Sequence, residues 1–153
     1  SLSVAINAIK SSRESHHFLG LNEGGRVTVY ETKGNKYTHV VLRGGAKPNY
    51  DKRSLGLCEK NLKKENLPSR IMIDCSHGNT NKDYTLQPKV AKYCINQVLN
   101  GNDSIIGMML ESNIHEGNQK ITDKLKYGVS LTDACIDWKT TQNLLLNLAN
   151  KLS

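Results

Sequence analysis

Apolar residues recur at helical spacing in four stretches of the chain. These stretches predict helices over residues 2–12, 51–65, 87–99 and 138–152. Leu55, Cys58 and Leu62 share one face of the second helix. Pro88 lies in the first turn of the third helix and Gly101 follows its end, as expected of helix start and stop signals. The pattern therefore predicts well-bounded amphipathic helices.

Short apolar runs between these helices predict strands. The runs cover residues 17–21, 39–42, 71–73 and 105–110. The last run is continuously apolar, which is typical of a strand covered by helices on both faces. Residues 26–32 alternate in polarity and precede a turn-like segment at 33–36, so we expect a hairpin with the strand at 39–42. The hairpin would be an insertion over about residues 24–38.

Alternating strands and helices predict an α/β fold with a parallel sheet, because right-handed crossovers join parallel strands. Four such units amount to half of an eight-fold barrel or to a small open sheet. We expect residues 1–153 to form part of a single domain, without repeats or linkers. The chain opens on Ser1 and an apolar helical pattern, so we expect it to be cut from a longer protein.

Three side chains with metal-binding atoms follow strand-like runs. His77 lies beyond the strand at 71–73 in the segment 71–79, Glu111 follows the run at 105–110, and Asp133 ends the run at 127–133. In barrels and doubly wound α/β folds, chemistry takes place where strands end. One imidazole with two carboxylates suits Mn²⁺, Fe²⁺ or Co²⁺. The sequence therefore predicts a divalent-metal site.

Each of these residues also has an ordinary structural interpretation. A single loop histidine is seldom a ligand, and Asp133 could be the N-cap of the last helix. Glu111 follows six apolar residues, where a carboxylate is costly unless it is paired or bound to metal. Cys75 shares a strand face with His77 and could be a fourth ligand, but we favour packing in the core.

An anion site is predicted after the strand at 39–42, where Arg43 is followed by Gly44 and Gly45. A guanidinium offers two parallel hydrogen bonds to phosphate, and glycines let backbone N–H groups approach an anion. The alternative is an arginine paired with a carboxylate beside a glycine turn. Next to a metal site, the anion interpretation is favoured and indicates a phosphorylated substrate.

Composition limits the class of protein. The 153 residues contain 37% hydrophobic residues, but no run approaches the roughly 18 needed to span a membrane, and we expect no signal peptide. Four cysteines without C-x-x-C spacing are expected to be reduced thiols of a cytoplasmic protein. The net charge of +7 favours anionic partners. The lysines of the chain are scattered and its aromatic residues are few. A nucleic-acid-binding module is therefore the less favoured alternative to an enzyme with a phosphorylated substrate.

The motifs resemble the C-terminal half of the 3-deoxy-D-arabino-heptulosonate 7-phosphate (DAHP) synthase family, in the type found in enteric bacteria and yeast. The resemblance runs in order along nearly the whole chain. It is carried by the segments 42–45 with 48–50, 74–79 with 81–84, 111–119, and 127–135.

The resemblance implies a TIM (β/α)8 barrel, of which this chain would supply strands five to eight. It implies that His77, Glu111 and Asp133 are three of four metal ligands, and that Arg43 binds the phosphate of phosphoenolpyruvate. His77, Arg43 and Asp133 would be catalytic, and Gly44 and Asp133 would also contact substrate. The reaction condenses phosphoenolpyruvate with erythrose 4-phosphate and releases phosphate, opening the shikimate pathway.

Several family motifs are absent from this sequence. The fourth ligand is a cysteine in a Pro-Cys-Ser-type motif, and a Lys-Pro-Arg-Thr-type loop binds both substrates. A further arginine and lysine complete the phosphoenolpyruvate site. We therefore expect the parent enzyme to be active and the isolated chain to be inactive. The related 8-phosphate octulosonate synthase is disfavoured by the inserted hairpin and by the segment around Asp133.

The resemblance also implies feedback inhibition by an aromatic amino acid, at a cavity formed partly by the hairpin and the strand before it. Gly20 stands where phenylalanine-sensitive forms tend to carry serine, so we expect tyrosine to be the inhibitor and Gly20 and Tyr30 to belong to its site. The alternative is that Gly20 only eases packing. Family enzymes are often oligomers, and we expect a homo-oligomer for the full-length enzyme.

Overall fold

The structure is a computed structural model that describes residues 1–152. It divides into two compact units, residues 1–40 and 41–153. No helix of the described chain is both long enough and apolar enough to cross a membrane. All four cysteines are buried free thiols.

The first unit contains a helix and an antiparallel hairpin. Helix α1 covers Leu2–Arg13, and strands β1 (His17–Leu21) and β2 (Val27–Glu31) pair so that Phe18 faces Tyr30. The turn between the strands is closed by a hydrogen bond from the Gly25 N–H to the Asn22 carbonyl (2.9 Å). The helix and both strands lie where the sequence pattern predicts them.

The predicted hairpin partner is wrong. We expected residues 26–32 to pair with 39–42 across a turn at 33–36, but β2 pairs with β1. The segment at 33–36 is held by α1 instead, because the Asn35 N–H donates to the Ser12 carbonyl (2.7 Å). Gly34 adopts φ 74°, and a Cβ there would lie 2.2 Å from the Arg13 carbonyl oxygen. Residues 33–36 therefore pack against the end of α1 and do not form the turn of the predicted hairpin.

The second unit alternates strands and helices. Its elements are β3 (Val40–Leu42, which begins at the boundary between the units), α2 (Lys52–Lys64), β4 (Ile71–Asp74), α3 (Gln87–Leu99), β5 (Ile105–Met109) and α4 (Trp138–Leu152). The sheet order is β3-β4-β5, and β4 and β5 are parallel. The predicted α/β class and the parallel pairing of these two strands are confirmed.

The core of this unit lies between the sheet and the buried faces of its helices. Helix α2 starts at its N-cap Asp51, whose carboxylate accepts hydrogen bonds from the N–H groups of Arg53 and Ser54. The buried apolar side chains are Leu42, Leu55, Cys58, Leu62, Ile71, Ile73, Cys75, Val90, Ala91, Cys94, Ile95, Cys135, Ile136, Leu144 and Leu148. Helix α3 contacts both β5 and α4.

The expectation that β5 is covered on both faces is wrong for the described chain. Ile106 and Met109 are 49% and 43% exposed. A continuously apolar strand is usually covered on both faces. The residues described here cover β5 only in part.

The strand-like run at 127–133 does not form a strand. This part of the chain instead makes isolated bridges, which join Ser112 to Ile136, Gly117 to Cys135, and Asn118 to Ser130. The bridging partners lie in the loop after β5 rather than in a neighbouring strand. Asp133 therefore stands in a looped segment, and its predicted place at a strand end is wrong.

The ends of β3 and β4 are held together by two glycines. A Cβ at Gly44 (φ +75°) would lie 2.3 Å from the carbonyl carbon of Gly78, whereas a Cβ at Gly45 would meet nothing within 4 Å. The Gly78 N–H also donates to the Arg43 carbonyl (3.1 Å). The backbones of the two loops can approach this closely only without a side chain at position 44.

We predict that Gly44→Ala lowers the free energy of unfolding by at least about 2 kcal/mol, because alanine adds both a left-handed backbone cost and a backbone clash. The matched variant Gly45→Ala should stay within about 0.5 kcal/mol of wild type. Urea denaturation of both variants measures the difference. Equal stabilities of the two variants would contradict the close contact.

Candidate metal centre and adjoining anion cleft

The loop that carries His77 is fixed by a buried asparagine. The Asn79 amide donates to the carbonyls of Asp74 (2.7 Å) and Leu42 (3.0 Å), and its oxygen accepts from the Asn49 N–H (2.8 Å). One side chain thus joins the end of β3, the end of β4 and the loop after β3. Because Asn79 is 3% exposed, these hydrogen bonds are shielded from water and rigidify the loop.

His77 lies among three carboxylates. Its Nε2 atom lies 3.3 Å from Glu111 Oε1 and 3.5 Å from Asp133 Oδ2. Its Nδ1 atom lies 2.8 Å from Oδ2 of the buried Asp74 but does not meet hydrogen-bond geometry there. Metal-binding histidines commonly have a carboxylate next to the ring nitrogen that does not bind the metal, while the other ring nitrogen faces the metal and its remaining ligands.

Glu111 is held by two polar side chains that sequence reasoning missed. Gln87, which is fully buried, donates to the Glu111 carbonyl (3.0 Å) and accepts from the Glu111 N–H (2.8 Å). The Ser76 hydroxyl donates to Glu111 Oε2 (2.6 Å). Gln87 begins a helix, where a glutamine is ordinarily a surface residue, so no sequence signal marked it. Ser76 is adjacent to His77 but lacks a distinctive motif of its own.

Asp133 is the most exposed of the three predicted ligands, with 64% of its side chain accessible. It does not cap α4, because the Oδ1 atom of Asp137 accepts from the Thr140 N–H (2.7 Å) at that helix start. The capping interpretation of Asp133 is therefore wrong. Its carboxylate is available for another role beside His77.

The donor set fits a divalent cation. His77, Glu111 and Asp133 each offer one atom, and these atoms all lie within 4.8 Å of one another. Metal–ligand bonds of about 2.0–2.2 Å place neighbouring ligands about 3–3.5 Å apart. The two distances from Nε2 fall in or near this range. The two carboxylates also bring negative charge to the site that a cation would offset.

Cys75 does not belong to this group. Its side chain is fully buried, and its Sγ lies 3.9 Å from the Ile73 carbonyl oxygen. Burial raises the pKa of the Cys75 thiol well above its usual range, and the nearby Cys94 and Asp74 add to the shift. Metal binding requires the thiolate, so packing in the core is the better interpretation.

A cleft of about 470 Å³ adjoins the triad. It is lined by Arg43, Gly44, Gly45, His77, Gly78, Asn81 and Lys82. None of these residues carries a carboxylate, and two of them are cationic. The cleft therefore has the electrostatic character of an anion site.

The predicted use of glycine N–H groups in that cleft is wrong for this structure. The Gly44 N–H donates to Asn49 Oδ1 (2.8 Å), and the Gly45 N–H donates to the Lys47 carbonyl (3.1 Å). Both donors are thus engaged within the loop. Gly44 instead allows the close approach of its loop to the backbone of Gly78.

A smaller cavity of about 40 Å³ touches the triad directly. Its lining is Ser76, His77, Lys82, Tyr84, Glu111, Asp133 and Ala134. Burial raises the pKa of the Tyr84 phenol, with smaller contributions from Glu116 and Asp83 and from a hydrogen bond with Glu116. The phenol therefore remains a neutral hydrogen-bonding group at the cavity wall.

The two residues predicted for inhibitor binding are adjacent in the first unit. A Cβ at Gly20 would lie 2.9 Å from the Tyr30 ring, and that ring stacks on Phe18 with centroids 5.5 Å apart. The Tyr30 hydroxyl donates to the Leu21 carbonyl (3.1 Å). Gly20 thus lets the Tyr30 ring lie flat across the strand.

Known proteins resemble this chain along its whole length. The tyrosine-sensitive phospho-2-dehydro-3-deoxyheptonate aldolase of Salmonella typhimurium is 49% identical over 156 residues, which cover 100% of this chain and 44% of that protein. The phenylalanine-inhibited enzyme of Saccharomyces cerevisiae is 46% identical, with 97% and 43% covered.

A solved phospho-2-dehydro-3-deoxyheptonate aldolase from Francisella tularensis superposes with a TM-score of 0.92 at 41% identity, covering 98% of this chain and 44% of that one. The chain thus spans less than half the length of these relatives. Residues 1–146 match the DAHP synthetase I family. By sequence and by structure, the chain belongs to the DAHP synthetase I family.

Proposed function

We propose that this chain is the C-terminal part of a 3-deoxy-7-phosphoheptulonate synthase. The reaction condenses phosphoenolpyruvate with erythrose 4-phosphate, giving DAHP and inorganic phosphate at the start of aromatic amino acid synthesis. The enol carbon of phosphoenolpyruvate forms a C–C bond to the aldehyde carbon. Water adds to the adjacent carbon, and the phosphate leaves by cleavage of its C–O bond.

The observation that carries the proposal is the convergence of His77, Glu111 and Asp133 beside the cationic cleft. These three residues come from separate loops. A metal position next to an anion site suits a phosphorylated substrate with a reacting carbonyl group. Membership of the family supports the same reaction.

In this proposal each residue has a defined task. His77, Glu111 and Asp133 hold the divalent metal, which would polarise the aldehyde carbonyl or activate water. Arg43 binds the phosphate of phosphoenolpyruvate through its guanidinium. Gly44 lines the same cleft and would lie beside that phosphate, and the exposed carboxylate of Asp133 also contacts substrate. The choice among Mn²⁺, Fe²⁺ and Co²⁺ depends on availability as well as affinity.

The complete enzyme would be a TIM barrel to which residues 1–153 contribute strands five to eight as part of one domain. The half-exposed Ile106 and Met109 on β5 support this, because they point to opposite faces of the strand and a closed barrel with its surrounding helices would cover both faces. We place the enzyme in the cytoplasm as a homo-oligomer. The remaining half would supply a cysteine ligand and the further cationic groups.

The activity can be tested with a completed enzyme, defined as this chain joined to the N-terminal portion of the Salmonella typhimurium relative. The completed enzyme should release phosphate from phosphoenolpyruvate plus erythrose 4-phosphate, lose that activity to a chelator and regain it with Mn²⁺. The 153-residue chain alone should show no turnover, because positioning of both substrates supplies much of the rate. A phosphate-release assay measures both.

Several results would contradict this proposal. Absence of turnover in the completed enzyme, or preference for arabinose 5-phosphate over erythrose 4-phosphate, would exclude the proposed reaction. Binding of mixed oligonucleotides at physiological salt, without phosphoenolpyruvate binding, would favour the nucleic-acid-binding alternative. Steady phosphate release by the isolated chain would show that its site is complete.

The metal site can be tested through the serine behind Glu111. Ser76→Ala should weaken Mn²⁺ binding by about 10–100-fold in the completed enzyme, because outer hydrogen bonds orient metal ligands. Ser69→Ala is the matched control, since Ser69 precedes the opposite end of β4, and it should bind Mn²⁺ normally. Calorimetric titration measures both affinities. Equal Mn²⁺ affinities of the two variants would show that Ser76 does not orient Glu111 for metal binding.

The inhibitor proposal concerns Gly20 and Tyr30. We propose that tyrosine inhibits the completed enzyme at the hairpin and that Gly20→Ser weakens this inhibition at least severalfold. A serine Cβ would displace the Tyr30 ring, which lies 2.9 Å from that position. Gly24→Ser is the control, because a Cβ there meets only Asn22 Oδ1 at 3.4 Å. Inhibition curves with tyrosine and phenylalanine measure the effect, and stronger inhibition of the parent by phenylalanine would overturn the proposal.

A further inference from the structure

The loop after β4 has an unusual backbone. His77, Asn81 and Lys82 have φ angles of 49°, 52° and 66°, all in the left-handed region. Asparagine tolerates this region and histidine is found there more often than most residues, but lysine seldom adopts it. Such conformations persist only where the surroundings enforce them, and they concentrate at functional sites.

The loop folds back onto His77 through its own backbone. The His77 carbonyl accepts from the N–H groups of Lys82 (2.9 Å) and Thr80 (3.3 Å). The Asp83 N–H then donates to the Thr80 carbonyl (3.0 Å). As a result, the backbone of Lys82 lies directly beside that of the histidine in the triad.

This position gives Lys82 access to two cavities. Lys82 and His77 are the residues common to the lining of the cationic cleft and of the small cavity at the triad. Across the described chain, no carboxylate lies within ion-pair distance of the Lys82 ammonium or of the Arg43 guanidinium. Two cations without a carboxylate partner therefore line one cleft, and a bound anion would compensate them.

We propose that Lys82 is a phosphate-binding residue that shares the substrate phosphate with Arg43. This inference rests on the proposed function and adds a cation to it from within this chain. A lysine acts as a flexible point charge, whereas Arg43 supplies a directional fork. Lys82 holds the phosphate at the end of the cleft that adjoins His77, and this directs the reacting part of the substrate toward the triad.

The test compares three variants of the completed enzyme. Lys82→Met removes the charge but keeps a side chain of similar length and the same backbone cost. It should raise the KM for phosphoenolpyruvate and the inhibition constant of inorganic phosphate by about tenfold or more. Lys82→Arg should restore both values to within about threefold. Lys89→Met, on the exposed side of α3, is the control and should match wild type.

Mn²⁺ affinity and Tm should be unchanged in Lys82→Met, which separates phosphate binding from a structural role. The inference is overturned if Lys82→Met leaves both constants within twofold of wild type, or if Lys82→Arg is as impaired as Lys82→Met. If the completed enzyme shows no turnover, the proposed function fails by itself. Calorimetric titration with inorganic phosphate then still decides the role of Lys82, because wild type should bind it about tenfold more tightly than Lys82→Met.

Discussion

The candidate site depends on the close contact between the loops that follow β3 and β4. Gly44 and Gly78 approach each other too closely for a side chain at position 44, and the buried Asn79 bonds to the chain on both sides of the contact. This contact sets Arg43 and His77 on either side of one cleft. The residues of the candidate anion site and candidate metal site are thereby positioned by backbone geometry.

The carboxylates are positioned by a second set of buried polar groups. Gln87 satisfies both backbone groups of Glu111, and Ser76 holds one of its carboxylate oxygens. Asp74 stands behind the His77 ring. Buried hydrogen bonds such as those of Gln87 and Ser76 rigidify a site, and the Nε2 side of His77 faces the two remaining carboxylates. The ligand arrangement therefore does not require large rearrangement on binding a cation.

The sequence predicts the helices well because their apolar spacing and stop signals are local. The bounds of α3 and α4 were predicted to the residue. The hairpin was mispaired because residues 33–36 resemble a turn, while their backbone is bonded to the end of α1, a contact that local patterns do not encode. The run at 127–133 failed as a strand for a related reason, since its bridges go to the loop after β5.

The candidate ligands were predictable because chemically distinctive residues follow apolar runs and match a family motif. Their supporting residues were not, since Gln87 has an ordinary place at a helix start and acquires its role only from burial against Glu111. Lys82 was part of a matching segment, but its position between two cavities depends on left-handed backbone that sequence patterns do not reveal.

The central claim is that His77, Glu111 and Asp133 bind one metal ion, and anomalous diffraction from Mn²⁺-soaked crystals of the completed enzyme tests it most directly. The account predicts a single strong anomalous peak at about 2.0–2.3 Å from His77 Nε2 and from one oxygen of each carboxylate. A peak elsewhere, or coordination through Cys75, would contradict the account.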